Sequence, residues 1–364
     1  MKFSISKSEL QNALSIVQKG VSTRSTLPVL SGIFLKSDGD QITFQTTDLE
    51  LSIQYTAQAM IDEEGATVLP GKLFGDIVKN LPDAAVHIAV DGTSAIITCD
   101  NSSFSIKALD AQDFPGFPEV APEQQITIPF DVFSQMVKRA KRATSRDESR
   151  PILTGVLIEQ EAGVLRMVAT DSYRLALVEE AVAEAPDFSS VISGAFLSDL
   201  ATLPQSGEDI TIALAENQIL VSYNSTVFVN RRLEGKFPNY RHLVPTSYET
   251  RVVVSTQALV GAVRRAGLLG ASGSSVKFAI DADSQTVKLS SVVHDVGSTQ
   301  ETIPAQVEGS SVETAYNGGF VIDGLGSITD DEVALEIQTA MRPGVFKPAS
   351  ARDYLYLAMP VRIV

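Results

Sequence analysis

Three histidines, His87, His242 and His294, are the side chains best suited to proton transfer or metal ligation. They stand far apart, and no pair has the spacing of a metal-binding motif. Gly270-Ala271-Ser272-Gly273-Ser274 comes near the strained elbow that presents a nucleophilic serine, but its last position is Ser instead of Gly. Gly71-Lys72 lacks the upstream glycine of a phosphate-binding loop, and Gly324-Leu325-Gly326 does not complete a dinucleotide fingerprint. The single cysteine, Cys99, excludes an intramolecular disulfide and a Cys-based zinc site, and suits a reducing compartment. These residues lead to no expected catalytic group, metal ligand or cofactor.

The remaining chemistry is electrostatic. The 364 residues include 29 Lys and Arg against 44 Asp and Glu, a formal charge of −15. That total argues against holding nucleic acid by net charge. The distribution argues otherwise. Six segments of helical pattern, 6–20, 70–81, 129–144, 194–204, 255–269 and 316–328, contain ten basic and five acidic residues. The basic ones are Lys7, Lys19, Lys72, Lys79, Lys138, Arg139, Lys141, Arg142, Arg264 and Arg265. The helices are therefore positive and the rest of the chain strongly negative. In 129–144, Phe133, Met136, Val137 and Ala140 form an apolar stripe, while Lys138, Lys141 and Arg142 share another face. Arg146 and Arg150 follow in the next loop. On one helix this is an ordinary solvated face. Four helices biased the same way in an acidic chain suit a surface that meets phosphates without reading bases. No zinc finger, heptad-linked basic region or aromatic RNA platform is present.

The helices recur because the chain repeats. Thr47-Asp48 recurs at Thr170-Asp171 and Phe114-Pro115 at Phe237-Pro238, each 123 residues on. Lys72-Leu73-Phe74 aligns with Ala195-Phe196-Leu197 at the same offset, and Gly319-Phe320-Val321 follows 124 later. A unit of this length is a whole domain, not a solenoid element. The expected domains are 1–121, 122–247 and 248–364.

Each domain reads as two halves, each a strand, a helix and further strands. Ser6-Lys7-Ser8-Glu9 has a capping-box pattern, followed by Leu10, Ala13, Leu14 and Val17 at helical spacing. Leu73, Phe74, Ile77, Val78 and Leu81 are placed on one face of the helix after Pro70-Gly71. The alternating runs 41–45, 86–90, 209–214 and 286–289 predict half-buried strands. The class is α+β, with six helices laid on antiparallel sheets.

Several segments resemble a known family in order, spacing and over the full length. They are MKFSISKSELQNAL, Arg24-Ser25-Thr26-Leu27-Pro28-Val29-Leu30, ATDSYRLAL at 169–177, KFPNYRHLVP at 236–245 and AMPVRIV at 358–364. The chain resembles the bacterial sliding clamps, the β subunits of DNA polymerase III. The resemblance implies three DNA-clamp domains per chain and a head-to-tail homodimer, a ring with helices inside and sheet outside. It implies a non-catalytic subunit that encircles double-stranded DNA irrespective of sequence. Its partners would be the replicative polymerase α subunit, the clamp loader, and other polymerases and repair proteins that carry a clamp-binding motif. Loose, partly water-mediated phosphate contacts would permit sliding. Threading would retain the ring, and tethering would keep the polymerase at high effective concentration.

By motif position the resemblance also assigns sites. A partner-peptide pocket would comprise Leu153, Thr170, Ser172, Tyr173, Arg174 and Leu175. Pro238, His242, Leu243 and Pro343 would join it, as would Leu357, Met359, Pro360, Val361 and Arg362. Aliphatic, Met and Pro side chains would give an apolar floor, with Tyr173 and Arg174 as polar handles. Tyr173 stands where the family often has His, Ser172 where Gly is common, and Ile363 and Val364 follow Arg362. DNA contacts are expected from Arg24, Lys72, Lys79, Lys138, Lys141, Arg142, Arg146, Arg150 and Arg264. The dimer seam is expected at Phe104 and Ile106 on an edge strand, opposite Leu268 and Leu269 of the second copy.

Two other classes compete. A repeat scaffold that binds only proteins is suggested by the net −15 and the apolar C-terminus. An enzyme whose site leaves no local signature is the other. The N-terminus has no signal-peptide core, and no run reaches the roughly 18 apolar residues of a membrane span. A cytoplasmic protein without membrane contact is expected.

Overall fold

The computed structural model describes residues 1–22, 26–182, 186–270, 274–350 and 353–362. Arg24, Ile363, Val364 and 271–273 of the serine–glycine segment lie outside the described residues.

Six α-helices occur among the described residues: α1 Lys7–Val17, α2 Gly71–Asn80, α3 Phe130–Ala140, α4 Gly194–Leu200, α5 Thr256–Ala266 and α6 Gly318–Leu325. All six fall within the segments marked by periodicity. α1, α3 and α5 each end in a 3₁₀ turn, at Gln18–Gly20, Lys141–Ala143 and Gly267–Leu269. The longer expected helices are thus an α-helix plus one tighter turn.

Side-chain caps start four of them. Ser6, Ser193, Ser255 and Asn317 accept from the backbone N–H three residues on. Only half of the expected capping box forms. Glu9 does not reach back to Ser6; its Oε1 accepts from Tyr55 Oη at 2.7 Å. Burial and Glu9 push the Tyr55 phenol up to about 12. On α2, Phe74, Ile77 and Val78 are buried, but Leu73 is 48% exposed and leaves the expected apolar face. It sits one position ahead of Phe74, about 100° round the helix.

The chain folds as two compact units, Met1–Asp131 with Leu203–Arg232, and Val132–Thr202 with Leu233–Val364. The division cuts the middle repeat because its strands join two different sheets. In the first unit, Thr226–Arg231 of the middle repeat pairs antiparallel with Leu51–Gln58 of the first, within an eight-stranded sheet. A five-stranded sheet, ordered Met60–Glu63, Lys2–Ser6, Ala85–Asp91, Ser94–Cys99, Ser102–Lys107, completes it. In the second unit, Arg174–Ala181 pairs antiparallel with Tyr354–Ala358 of the last repeat, within a nine-stranded sheet. A four-stranded sheet, ordered Gly297–Pro304, Thr286–Val293, Ser275–Asp281, Val312–Asn317, completes that unit.

The repeat is also written in the backbone. Leu49, Ser172 and Asp295, at successive steps of 123, have φ of 79°, 81° and 63°. Gly39, Ala162 and Gln285, at the same step, have φ of 61°, 52° and 52°. Few L-residues adopt this left-handed region. Its recurrence at a fixed step marks one turn geometry used three times.

Candidate docking face and basic recess

The site is built on the nine-stranded sheet. Successive side chains of a strand point to opposite faces. Tyr354 and Tyr356 point to the helix side, where a Cβ on Gly324 of α6 would lie 2.3 Å from the Tyr356 ring. Leu355 and Leu357 therefore point away from the helices. In register with them run cross-strand partners on the same face: Val191–Leu157, Leu157–Val168, Val168–Leu177, Leu177–Leu355, and on the next rung Leu175–Leu357. The outward face of this sheet thus carries a continuous apolar row, where a solvated face would alternate to polar residues.

One short segment covers part of the row. Tyr240 packs on Leu157, Val168, Leu175, Val191 and Leu357, with Ile152, Leu233 and Phe237 beside it. Tyr240 Oη donates to Glu159 at 2.8 Å, and Arg241 bridges Glu159 and Glu161. Burial and Glu159 push the Tyr240 phenol up to about 12. Leu177 and Leu355 stay half-buried, and Tyr173, Leu243 and Met359 stand at the rim 62%, 47% and 40% exposed.

The turn at 170–174 joins these parts. Thr170 Oγ1 accepts from Ser172 N and donates to the Arg174 carbonyl. Asp171 Oδ1 accepts from Tyr173 N and Arg174 N, at 2.9 and 3.1 Å. Tyr173 O in turn accepts from Met359 N at 2.8 Å, and Val361 N donates to Ala315 O. The C-terminal segment is thereby pinned between the turn and the strand Val312–Asn317.

Among the pocket residues expected from the sequence, Thr170, Leu175 and Leu357 are buried, and Pro238, Pro343, Pro360 and Val361 are half-buried. Ser172, His242 and Arg362 are exposed. Leu153 is 5% exposed, and it is its neighbour Ile152 that packs against the Tyr240 cluster. The sequence reading missed Tyr240, Leu177 and Leu355. The alternation in RLALV and YLYLA held the signal for the two leucines.

The basic residues separate into free and engaged groups. Arg139 is bonded to Asp353 at 2.6 Å, and Arg265 to Glu301 at 2.8 Å through Nε. Arg150, expected among the DNA contacts, lies beside the docking turn: its Nη1 donates to Ser172 Oγ at 3.1 Å. Lys72, Lys79, Lys138, Arg142, Arg146 and Arg264 are exposed. Lys141, Arg142, Arg146 and Arg174 line a recess of about 640 Å³ with several Ser and Thr hydroxyls, Glu148 and Asp323. Arg174 Nε donates to Asp171 Oδ2 at 2.8 Å and Nη1 to Asp323 Oδ2 at 2.5 Å. Its guanidinium lies 4.4 Å from the centre of the Phe320 ring. Burial opposes its charge, but Tyr356, Asp323 and Asp171 outweigh that and shift its titration upward.

Among the edge strands, paired on one side only among the described residues, Ser102–Lys107 ends the five-stranded sheet and Gly297–Pro304 the four-stranded sheet. Phe104 is 39% exposed and Leu268 78%, with Leu269 half-buried. Ile106 was also expected at the seam. At 9% exposed, opposite Ala95, it belongs to the core of its own unit.

Comparison with known proteins follows this geometry. The chain matches the DNA polymerase III beta subunit family in three parts: the N-terminal domain over residues 1–118, the central domain over 127–239 and the C-terminal domain over 241–362. It is 32% identical to the beta sliding clamp of Staphylococcus epidermidis over 374 residues, covering 100% of this chain and 99% of that one. The DNA polymerase sliding clamp of Bacillus subtilis superposes with a TM-score of 0.95 at 30% identity, covering 100% of both chains. A Pseudomonas aeruginosa sliding clamp bound to griselimycin gives 0.95 at 26% identity, again over 100% of both. The chain belongs to the DNA polymerase III beta subunit family, the bacterial sliding clamps.

Proposed function

We propose that the chain is a processivity clamp: two copies close into a ring around duplex DNA and hold the replicative polymerase to it. It is a non-catalytic subunit, working in the cytoplasm. The domains are 1–121, 122–247 and 248–364. The observation that carries the reading is the outward apolar row from Val191 to Leu355, with Met359 and Tyr173 at its rim. It supports a docking site for a short apolar peptide of the polymerase, the clamp loader or a repair protein. Covering the half-exposed leucines would contribute about 25 cal/mol per Å² of apolar surface removed from water.

Sheet arithmetic supports the ring. One sheet runs through each junction between repeats, with eight strands at the first and nine at the second. Ser102–Lys107 is one edge of the five-stranded sheet and Gly297–Pro304 one edge of the four-stranded sheet. Pairing Ser102–Lys107 of one copy with Gly297–Pro304 of another makes a third through-running sheet, of nine strands, and covers both edges. Phe104, Leu268 and Leu269 would flank that seam. Lys72, Lys79, Lys138, Lys141, Arg142, Arg146 and Arg264 would meet phosphates, together with Arg24. Arg150 is assigned to the docking turn.

Sedimentation should give a mass near twice 39.0 kDa. Deleting residues 360–364 should abolish polymerase capture and leave that mass unchanged. A monomer at micromolar concentration, or capture unaffected by the deletion, contradicts the proposal. A scaffold that binds only proteins is the competing reading, favoured by the net −15. Replacing Lys138, Lys141 and Arg142 by Glu would then leave replication unchanged.

A further inference from the structure

We propose that the basic recess of the second unit binds phosphate groups, and that Arg174 ties its occupancy to the docking face. The inference rests on the clamp reading and adds a regulatory link within it. Four cations line the recess against two carboxylates, Glu148 and Asp323. A phosphate is drawn there by Lys141, Arg142 and Arg146. Arg174 forms part of the same wall. Its Nη1 is held by Asp323, whose side chain is 45% exposed. A phosphate oxygen competes with that carboxylate for the guanidinium, because arginine bonds phosphate as it bonds carboxylate.

Arg174 also belongs to the docking turn. Asp171 grips its Nε with one oxygen and, with the other, accepts from the amides of Tyr173 and Arg174. Both side chains of this pair are little exposed, at 12% and 13%, so water is a poor substitute partner. Drawing the guanidinium towards a phosphate loosens the Asp171 clip. The Tyr173 carbonyl that receives the Met359 amide moves with it. Phosphate in the recess therefore weakens the hold on Met359 at the rim, and by linkage any factor by which this changes partner affinity is the factor by which docking changes phosphate affinity. Phosphates of threaded DNA and free polyphosphates share this chemistry.

Sodium tripolyphosphate, added to the full chain at low salt, separates this link from threading. Titration calorimetry should show binding, weakened about tenfold or more when Lys141, Arg142 and Arg146 become Gln. At saturation the Met359 amide should exchange with solvent several-fold faster, while the Val361 amide, bonded to Ala315, stays constant. In Arg174→Lys the Met359 amide should already exchange fast and ignore tripolyphosphate. Absence of binding, an unchanged Met359 amide at saturation, or equal acceleration of Val361 overturns the proposal. A Met359 response in protein that fails to stay on circular DNA would remove the ring and keep the link. Retention without the response would do the reverse. A duplex arm distinguishes the sources: DNA on the ring should reproduce the tripolyphosphate effect, and its failure to do so assigns the recess to free polyphosphate.

Discussion

Gln54 stands 123 residues before Leu177, and the two side chains hold the same register position in different sheets. Gln54 is flanked by Gln45 and Val227, and Leu177 by Val168 and Leu355. Gln45 Nε2 donates to Gln54 Oε1 at 2.9 Å, so the centre of this rung in the first unit is a polar pair. The equivalent rung of the second unit is the apolar row. The backbone repeats and the apolar row repeats in part: Phe34, Val68 and Phe114, 123 residues before Leu157, Val191 and Phe237, also pack in an apolar cluster, but Gln45 and Gln54 stand where the second unit has Val168 and Leu177.

Replacing Leu177 and Leu355 by Gln should interrupt the apolar row of the second unit, with Gln at 177 as the first unit has at 54. Affinity for a labelled peptide from the polymerase's clamp-binding segment should fall about tenfold or more, on the order of 1.4 kcal/mol. Circular dichroism should show the fold retained. Gln54→Leu should leave affinity unchanged, as read by fluorescence anisotropy.

Ser172→Gly should raise stability. Ser172 has φ of 81°, a region where a Cβ meets the following carbonyl and glycine does not. The gain should be about 1 kcal/mol, seen as a higher denaturation midpoint with unchanged slope. Leu49→Gly, at φ of 79°, should behave similarly.

Much of this architecture was legible in the sequence. The spacing of Leu10, Ala13, Leu14 and Val17, and the stripe Phe133, Met136, Val137 and Ala140, marked buried helix faces, and all eight side chains are buried. Thr47-Asp48 and Thr170-Asp171 marked the repeat because each builds a turn through its own side chains. What was not legible depends on cross-strand register. No local pattern says that Leu177 lies between Val168 and Leu355, or that Ile106 is buried while Phe104, on the same face of its strand, is 39% exposed. Arg265 and Arg139 look as free as Arg264 and Lys138 in sequence. Their partners, Glu301 and Asp353, are 36 and 214 residues away.

Acid should weaken the fold through identifiable pairs. The hydrogen bond from Arg265 holds the Glu301 carboxyl below its ordinary 4.5, and Arg241 does the same for Glu161. With folded values depressed, both pairs stabilise the fold above pH 4.5 and lose that contribution as pH falls through the folded values. The urea midpoint should drop between about pH 5 and pH 3, and less steeply in Glu161→Gln with Glu301→Gln. At the alkaline end, Tyr240 is raised from 10.0 to about 12. Its contribution is complete below pH 10.0 and is lost as pH rises through about 12, which tyrosinate absorbance in Tyr240→Phe against the parent checks.

Reversing Lys138, Lys141 and Arg142 to Glu should cut processive synthesis severalfold without changing the dimer mass. The salt dependence of residual DNA association should also become shallower, by about 0.9 in log–log slope for each phosphate the protein no longer neutralises. An unchanged slope would place these residues away from DNA.

The central claim is topological, and retention on DNA measures it directly. Protein loaded by its clamp loader onto a nicked circle should remain through gel filtration and leave promptly once the circle is cut to a line. Equal retention on circular and linear DNA would mean that attraction, not encirclement, holds the protein, and would contradict the account.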